Sequence, residues 1–204
     1  MSKKYIILDS GGALGDKCGP LLIKKPTTIL DNNSLIAIPG KLTTANLLFK
    51  MAYPEMNNIK EILFSDIEHS VLSNNVQAGL IIHENRFTYH AKGLVKELDL
   101  GEFWARQTSL PLPLGGIMAS RSLDKSVQEK VNLLINLSIK YAFENPTSSI
   151  NYTKLHCQEM DDVVIASHIN LYVNKYSLSF GEEGKKAIKA LLSYSDEQSS
   201  NIFL

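Results

Sequence analysis

The alternation of strand and helix patterns between residues 35 and 82 constrains the fold more than any other feature. Three short apolar runs are typical of strands: 35–38, 61–64 and 78–82. Two helical patterns separate them, one with Leu47, Leu48 and Met51 on one face and one spanning 67–72. This β-α-β-α-β order predicts an α/β fold with a parallel or mixed sheet and covering helices.

The rest of the chain supplies further strand patterns before this region and helical patterns after it. The strand patterns are 5–8 and 20–24, and a glycine-rich loop at 9–19 separates them. From residue 124 onward, helical spacing predicts helices at 124–145, 149–158, 161–174 and 182–194. We expect Ile169, Tyr172 and Val173 to lie on an inner face.

His83 directly follows the apolar run 78–82. In open α/β sheets, ligands bind beyond the carboxyl ends of the strands. An imidazole there is suited to proton transfer, because its unperturbed pKa lies near neutrality. A hydrogen-bonded structural histidine gives the same spacing, so spacing alone leaves both roles open.

A second candidate site opens the helical pattern at residue 44. Thr43 is a suitable N-cap, which would leave the amides of Thr44, Ala45 and Asn46 at the positive end of a helix. Such an end binds carboxylates or phosphates. Ordinary capping without a ligand is the alternative.

Composition argues against several classes of protein. Lys plus Arg equals Asp plus Glu at 21 each, so no basic surplus suggests nucleic acid as a partner. Cys18 and Cys157 are far apart and form no CxxC motif, so we expect no zinc site and a cytoplasmic protein. No segment has the length and apolar character of a membrane span. A small molecule is the expected partner.

Three motifs, in this order, resemble the 1,4-dihydroxy-6-naphthoate synthase family of the futalosine route to menaquinone. They are His83-Glu84-Asn85-Arg86-Phe87-Thr88-Tyr89, Asp99-Leu100-Gly101-Glu102-Phe103-Trp104, and Pro111-Leu112-Pro113-Leu114-Gly115-Gly116. The resemblance extends from about residue 5 to about residue 192. Chorismate dehydratase of the same pathway has a similar fold, but the first and third motifs argue against it.

The resemblance implies a two-lobed fold like that of the type 2 periplasmic binding proteins, with mixed sheets. The first lobe would comprise 1–36 and 117–204, and the second would comprise 37–116. It also implies a lyase that converts cyclic dehypoxanthine futalosine by breaking carbon–carbon bonds without an organic cofactor or a metal. His83 would be the proton acceptor, and Thr44 and Ala45 would contact the substrate; Ser10, Glu84 and Arg86 are given no role.

Family members begin with an additional strand-helix-strand portion that has no counterpart before Tyr5. We therefore expect an incomplete first lobe, with an exposed sheet edge that could pair two copies of the chain. A misplaced start, a decayed gene copy or a partner chain that completes the lobe would each explain this difference. The alternative functions are a binding module for a small carboxylate and an inactive remnant of the enzyme.

Overall fold

The computed structural model describes residues 4–16, 18–82, 85–156, 161–194 and 201–204. The chain divides into two compact units. The terminal unit comprises Met1–Gly15 and Leu110–Leu204, and the central unit comprises Asp16–Ser109. No helix in these described ranges is long and apolar enough to cross a membrane.

The elements are numbered along the chain. The strands are β1 Tyr5–Ile7, β2 Ala13–Gly15, β3 Leu21–Lys24, β4 Ile36–Ile38, β5 Ile59–Glu61, β6 Ala78–Ile81, β7 Val95–Asp99, β8 Leu112–Gly115 and β9 Met118–Ser120. The helices are α1 Thr44–Ala52, α2 Ile67–Leu72, α3 Asn85–Thr88, α4 Leu100–Thr108, α5 Lys125–Glu144, α6 Ile150–His156, α7 Asp162–Tyr172, α8 Lys175–Leu178 and α9 Gly181–Leu192. Two 3₁₀ turns, Phe64–Asp66 and Tyr89–Lys92, precede α2 and follow α3.

The central unit contains a five-stranded mixed sheet in the order β5-β4-β6-β3-β7. β4 pairs in parallel with both β5 and β6, whereas β3 runs antiparallel to both β6 and β7. All residues of β4 and β6 are buried. These short continuous apolar runs are typical of strands covered on both faces.

The core of the central unit is formed where α2 packs on the sheet. Ile67 and Val71 of α2 join Ile23, Ala37 and Ile81 in one buried cluster. Gly79 of β6 permits this contact, because a Cβ there would lie 2.4 Å from Cγ2 of Ile67. The single Trp104 of α4 is fully buried, as expected for a structural residue.

The terminal unit contains two separate two-stranded antiparallel sheets, β1 with β9 and β2 with β8. The edge of β1 opposite β9 is covered by the chain end. Ile7 donates from its amide to the carbonyl of Ile202 at 2.7 Å and accepts from the amide of Leu204 at 3.0 Å. This edge of β1 is therefore not open to another copy, and self-association through an exposed sheet edge stays a prediction.

Several sequence-based predictions differ from the structure. The predicted strand 61–64 is wrong, because β5 ends at Glu61 and Phe64 begins a 3₁₀ turn. β7 was not predicted, since the adjacent charged residues Lys96 and Glu97 interrupt the apolar run. The predicted inner face of α7 is also wrong, because none of its residues is buried.

The boundaries of the compact units also differ from the predicted lobes, 1–36 with 117–204 and 37–116. β3 and β4 form one sheet with β6, so the residues from Asp16 onward belong to the central unit. At the other boundary, β8 pairs with β2 of the terminal unit, which brings residues from Leu110 onward into that unit.

Candidate active site

One edge of the central sheet collects the chain segments that carry the candidate residues. β4 and β6 are parallel neighbours, so their carboxyl ends lie side by side. β7 runs in the same direction as β6, because both pair antiparallel with β3. We call this the C-terminal edge: it comprises the residues that follow β4, β6 and β7, together with those that precede β3.

The helix α1 begins at the C-terminal edge, and five residues separate it from β4. Thr43 is its N-cap, as predicted, with extended backbone angles of φ −101° and ψ 151°. Its Oγ1 accepts from the amide of Asn46 at 3.2 Å and donates to the carbonyl of Gly40 at 2.7 Å. The cap thus occupies the Asn46 amide, and the amides of Thr44 and Ala45 are the ones for which the helix supplies no acceptor.

Asn46 adds a second polar group to this helix end. Its side chain is buried, and Nδ2 donates to the carbonyl of Lys41 at 2.8 Å. Its Oδ1 is buried and accepts no hydrogen bond within the described part of the chain. A buried acceptor without a donor is costly, so a donor group on a ligand would stabilise this end of α1.

His83 and Glu84 lie outside the described residues, so the role of His83 stays a prediction. The residues on either side, Ile82 and Asn85, follow β6 at the C-terminal edge. Asn85 Nδ2 donates to Oε2 of Glu68 at 2.5 Å, and Lys92 Nζ lies 2.5 Å from the same oxygen. A buried carboxylate on α2 therefore fixes the chain directly after the predicted base.

The buried carboxylate of Asp99 connects three segments at the C-terminal edge. Oδ1 accepts from the amides of Gly101 and Glu102 at 2.8 and 3.2 Å and caps α4. Oδ2 lies 2.5 Å from Nη2 of Arg86, whose Nη1 donates to the carbonyl of Gly19 at 2.6 Å. Arg86 thus joins α3 to the end of β7 and the start of β3, which is a structural role.

The packing around Gly101 is equally close. A Cβ at this position would lie 2.2 Å from the backbone carbon of Cys18, so the second family motif requires glycine here. Burial raises the pKa of the Cys18 thiol, and the nearby Arg86 only partly opposes this. Cys18 is therefore a protonated structural thiol at neutral pH.

Ser10 has a structural role, and the described residues contain no metal site. Ser10 is buried, and its Oγ donates to the carbonyl of Leu178 at 2.7 Å while its amide donates to Asn132. This accounts for its place in the glycine-rich loop without a ligand. Among the residues that the structure describes, no group of three or more His, Cys, Asp and Glu side chains could hold a metal ion.

Comparison with known proteins identifies the family. Residues 1–197 match the family described as menaquinone biosynthesis. The chain belongs to this family. It is 40% identical over 188 residues to a 1,4-dihydroxy-6-naphthoate synthase of Thermus thermophilus, covering 92% of this chain and 69% of the relative. The identity is 39% over 193 residues to the enzyme of the same name from Streptomyces coelicolor, covering 92% and 68%.

Solved structures agree with the predicted fold. Protein AF1704 of Archaeoglobus fulgidus has a TM-score of 0.86 and 37% identity, covering 95% of this chain and 72% of that one. The ligand-binding component of an ABC-type import system from Staphylococcus aureus has a TM-score of 0.66 at 11% identity, covering 98% and 71%. The periplasmic aliphatic sulphonate binding protein of Escherichia coli has a TM-score of 0.60 at 12% identity, covering 82% and 56%. The fold is thus like that of periplasmic binding proteins, and the relatives' names support an enzyme.

Sequence reasoning missed three residues of this family member's candidate site. They are Glu68, Asn85 and Asp99, whose hydrogen bonds fix the positions of the segments after β6 and β7. A signal existed for Glu68, because it stands beside Ile67 and Val71 on the inner side of an amphipathic helix. Asp99 precedes Leu100 and Gly101 as an N-cap would, which is a signal for the start of α4.

Proposed function

We propose that the chain is a carbon–carbon lyase that forms 1,4-dihydroxy-6-naphthoate from cyclic dehypoxanthine futalosine, with His83 as the proton acceptor. The observation that supports this best is the parallel pairing of β4 with β6. Because of this pairing, the amino end of α1 and the residues that flank His83 lie at the same edge of one sheet. A substrate group held by α1 would then be close to a base that follows β6.

The amides of Thr44 and Ala45 would bind an anionic or oxygen-rich part of the substrate. Amides at the start of a helix combine free donors with the positive end of the helix dipole. The cap at Thr43 and the bond from Asn46 to Lys41 keep these donors fixed before the ligand arrives. The buried Oδ1 of Asn46 would accept from a donor on the same ligand.

His83 would remove a proton as a neutral imidazole, which is abundant near neutral pH. The contacts of Asn85 with Glu68 and of Arg86 with Asp99 hold the residues that follow it. A positioned base of this kind contributes about 10²- to 10⁴-fold to a rate. The resemblance implies no organic cofactor, and the cytoplasmic location inferred from Cys18 and Cys157 stays a prediction.

The first test measures naphthoate formation by the parent chain and by His83→Ala. We expect the substitution to lower kcat by about 10²- to 10⁴-fold, as for the loss of a general base. His69→Ala is the matched control, because His69 is exposed on α2 and leaves the C-terminal edge unchanged. Equal activity of the parent and His83→Ala would rule out His83 as the base.

The second test separates the Thr44 amide from its side chain. Thr44→Pro removes the N–H at the first helical position, where proline is well tolerated, and the extended backbone of Thr43 suits a following proline. Thr44→Ala keeps the amide. We expect Thr44→Pro alone to lower kcat/KM by roughly tenfold or more, as for a lost hydrogen bond to a charged group, with an unchanged melting temperature.

Turnover and ligand binding together distinguish the enzyme from its alternative. Protection from thermal unfolding by cyclic dehypoxanthine futalosine without turnover would indicate a small-molecule binding module. This alternative has support in the fold shared with binding proteins. If the ligand is not turned over and does not protect the chain from thermal unfolding, both proposed functions are contradicted.

A further inference from the structure

Three buried side-chain oxygens accept no hydrogen bond within the described ranges of the chain. They belong to Asp9, Asn46 and Glu68. The carboxylates of Asp9 and Glu68 each have an ammonium partner, since Lys185 lies 3.8 Å from Asp9 and Lys92 lies 2.5 Å from Glu68. Asn46 is a neutral amide, so no ion pair compensates its buried Oδ1. This oxygen is therefore the acceptor that most needs a donor.

The orientation of the Asn46 amide is set by its nitrogen. Nδ2 donates to the carbonyl of Lys41 at 2.8 Å. Turning the amide over would place Oδ1 against this carbonyl oxygen, and two acceptors cannot form a hydrogen bond. The chain therefore cannot satisfy Oδ1 by exchanging the two ends of the amide.

This amide lies at the amino end of α1. Asn46 is the third residue of the helix, and it binds Lys41, which precedes the cap at Thr43 by two residues. The side chain thus reaches back past the first turn, to the end where the helix supplies no acceptor for the amides of Thr44 and Ala45. Two donors and one acceptor are available at the same helix end.

This combination of donors and acceptor restricts the chemical group that fits. An ionised carboxylate or phosphate only accepts hydrogen bonds. Such a group would satisfy the two amides, but it would bring a negative oxygen close to Oδ1 of Asn46, which repels it. A hydroxyl group donates one hydrogen bond and accepts two. It is the simplest group that satisfies the amides and Oδ1 together.

The charges around the amino end of α1 also favour a neutral group. Carboxylates and phosphates are commonly bound by arginine or lysine. The lysine and arginine side chains of segments 39–46 and 85–92 are each paired with a carboxylate, at 3.4, 2.5 and 2.5 Å: Lys41 with Glu61, Arg86 with Asp99, and Lys92 with Glu68. An anionic ligand would have to compete with a carboxylate of the protein for each of these cations.

We propose that the amino end of α1 is a subsite for an uncharged hydroxyl group of the substrate, and that Asn46 selects this group over a carboxylate or phosphate. The hydroxyl group donates to Oδ1 of Asn46 and accepts from the amides of Thr44 and Ala45. The identity of the substrate rests on the proposed function. The subsite narrows the part of the substrate that α1 binds from an anionic or oxygen-rich group to a hydroxyl group.

The distinction matters for the proposed product, because 1,4-dihydroxy-6-naphthoate carries both hydroxyl groups and a carboxylate. A site that forms hydrogen bonds to a hydroxyl group rejects ligands that leave its buried polar atoms unpaired. Asn46 therefore sets the direction in which the ring enters the site, with a hydroxyl group at α1 and the carboxylate elsewhere.

The experiment compares two ligands that share one ring system and differ in one group. The probes are 1-naphthol, which is uncharged at neutral pH, and 1-naphthoate, which is ionised. Each is titrated into the isotopically labelled chain, and NMR follows the amide signals of Thr44 and Ala45. We expect 1-naphthol to shift both signals with a dissociation constant at least about tenfold lower than that of 1-naphthoate.

Two substitutions at position 46 separate the acceptor from the donor. Asn46→Ala removes both, whereas Asn46→Asp keeps an oxygen acceptor and loses the Nδ2 donor that binds Lys41. We expect Asn46→Ala to weaken the binding of 1-naphthol by about tenfold and Asn46→Asp to change it by less than about threefold. Equal losses in the two variants would mean that Asn46 only holds the loop before α1, which would overturn its role in selection.

Asn58→Ala is the matched control. Asn58 is exposed directly before β5, and its Nδ2 likewise donates to a backbone carbonyl, that of Asn33, at 2.9 Å. We expect this variant to bind 1-naphthol as the parent chain does. If Asn46→Ala does not fold, the two probes on the parent chain decide the question. The proposal is overturned if 1-naphthoate or inorganic phosphate shifts the two amide signals at lower concentration than 1-naphthol, or if 1-naphthol shifts neither.

Binding and turnover can fail separately. If the parent chain does not convert cyclic dehypoxanthine futalosine but its binding of 1-naphthol depends on Asn46, the proposed function fails and the hydroxyl subsite stands. If the parent chain does convert it and Asn46→Ala and Asn46→Asp lose kcat/KM equally, the proposed function stands and the subsite is overturned.

Discussion

The two units differ in how far their secondary structure is covered, although their lengths are similar. In the central unit, β3, β4 and β6 lie inside a five-stranded sheet, and α2 packs on it through a buried cluster. In the terminal unit, a 20-residue helix buries one side chain and the strands form two isolated pairs. The comparison teaches that the candidate active site belongs to the unit in which more of the strands and helices are buried.

This difference has a chemical consequence. A base and a substrate-binding helix end must be held within a fraction of an ångström to act together, so they need rigid supports. The central unit supplies such supports in the buried carboxylates of Glu68 and Asp99. The terminal unit has no comparable buried ion pair among its described residues.

The largest expected effect comes from comparing two helix caps of similar geometry in the two units. Asp99 caps α4 and Asp161 caps α7, each with an oxygen 2.8 Å from the nearer amide. Asp99 is buried and paired with Arg86, whereas Asp161 is exposed. We expect Asp99→Ala to lower the free energy of unfolding by about 3 to 5 kcal/mol, because it leaves a buried charge unpaired. Asp161→Ala should cost about 1 kcal/mol, as for an ordinary cap.

Urea denaturation followed by circular dichroism measures both values, and Asp99→Asn separates their causes. Asparagine keeps a capping oxygen but removes the charge. We therefore expect Asp99→Asn to recover about 1 kcal/mol relative to Asp99→Ala and no more. Equal losses for Asp99→Ala and Asp161→Ala would show that the ion pair to Arg86 adds nothing and would remove this distinction between the units.

A leucine pair tests the difference in packing with one chemical change. Leu22 of β3 is fully buried, and Leu155 of α6 is 79% exposed. We expect Leu22→Ala to lower the free energy of unfolding by about 2 to 5 kcal/mol through lost burial and a cavity. Leu155→Ala should change it by less than about 0.5 kcal/mol. A comparable loss for both variants in the same denaturation experiment would mean that Leu155 is covered in solution.

Much of the central unit was predictable from sequence because its signals are local. The apolar runs at β3, β4 and β6 and the spacing of α1 and α2 gave the correct element types. The cap at Thr43 was predictable for the same reason. The strand β7 was not, since the exposed Lys96 and Glu97 break its apolar pattern and its pairing with β3 is a tertiary effect.

The candidate site was predictable only where a motif carried it. The roles of His83, Thr44 and Ala45 came from the resemblance, and the structure adds that the amino end of α1 and the residues that flank position 83 lie at one sheet edge. Glu68 and Asp99 bind Asn85 and Arg86 at this edge, and each is distant in sequence from the residue that it binds. No local pattern links Glu68 to Asn85, which lies 17 residues later, so their contact required the fold. The unburied state of α7 was equally unpredictable, because an apolar helix suggests a core.

The smallest expected effect concerns a surface contact that stabilises the terminal unit. The Tyr176 hydroxyl and then the Lys175 ammonium bind the Glu183 carboxylate and lower its pKa. A carboxyl group with a lowered pKa in the folded state stabilises the protein above its unfolded pKa, near 4.3, and this contribution is lost as the pH falls through the folded value.

Removing the Tyr176 hydroxyl should therefore weaken the terminal unit only where Glu183 is ionised. Because Glu183 is half exposed, we expect Tyr176→Phe to cost about 0.5 kcal/mol at pH 7 after solvent screening. The cost should be smaller at an acidic pH below the unfolded pKa, because the ionised fraction of the carboxyl group falls as the pH approaches the lowered folded value. Urea denaturation at the two pH values measures this, with Tyr152→Phe as a control on an exposed ring. A cost that stays constant with pH would show that the hydroxyl stabilises the terminal unit independently of the charge on Glu183, since phenylalanine keeps the ring and its packing in the core around Phe180.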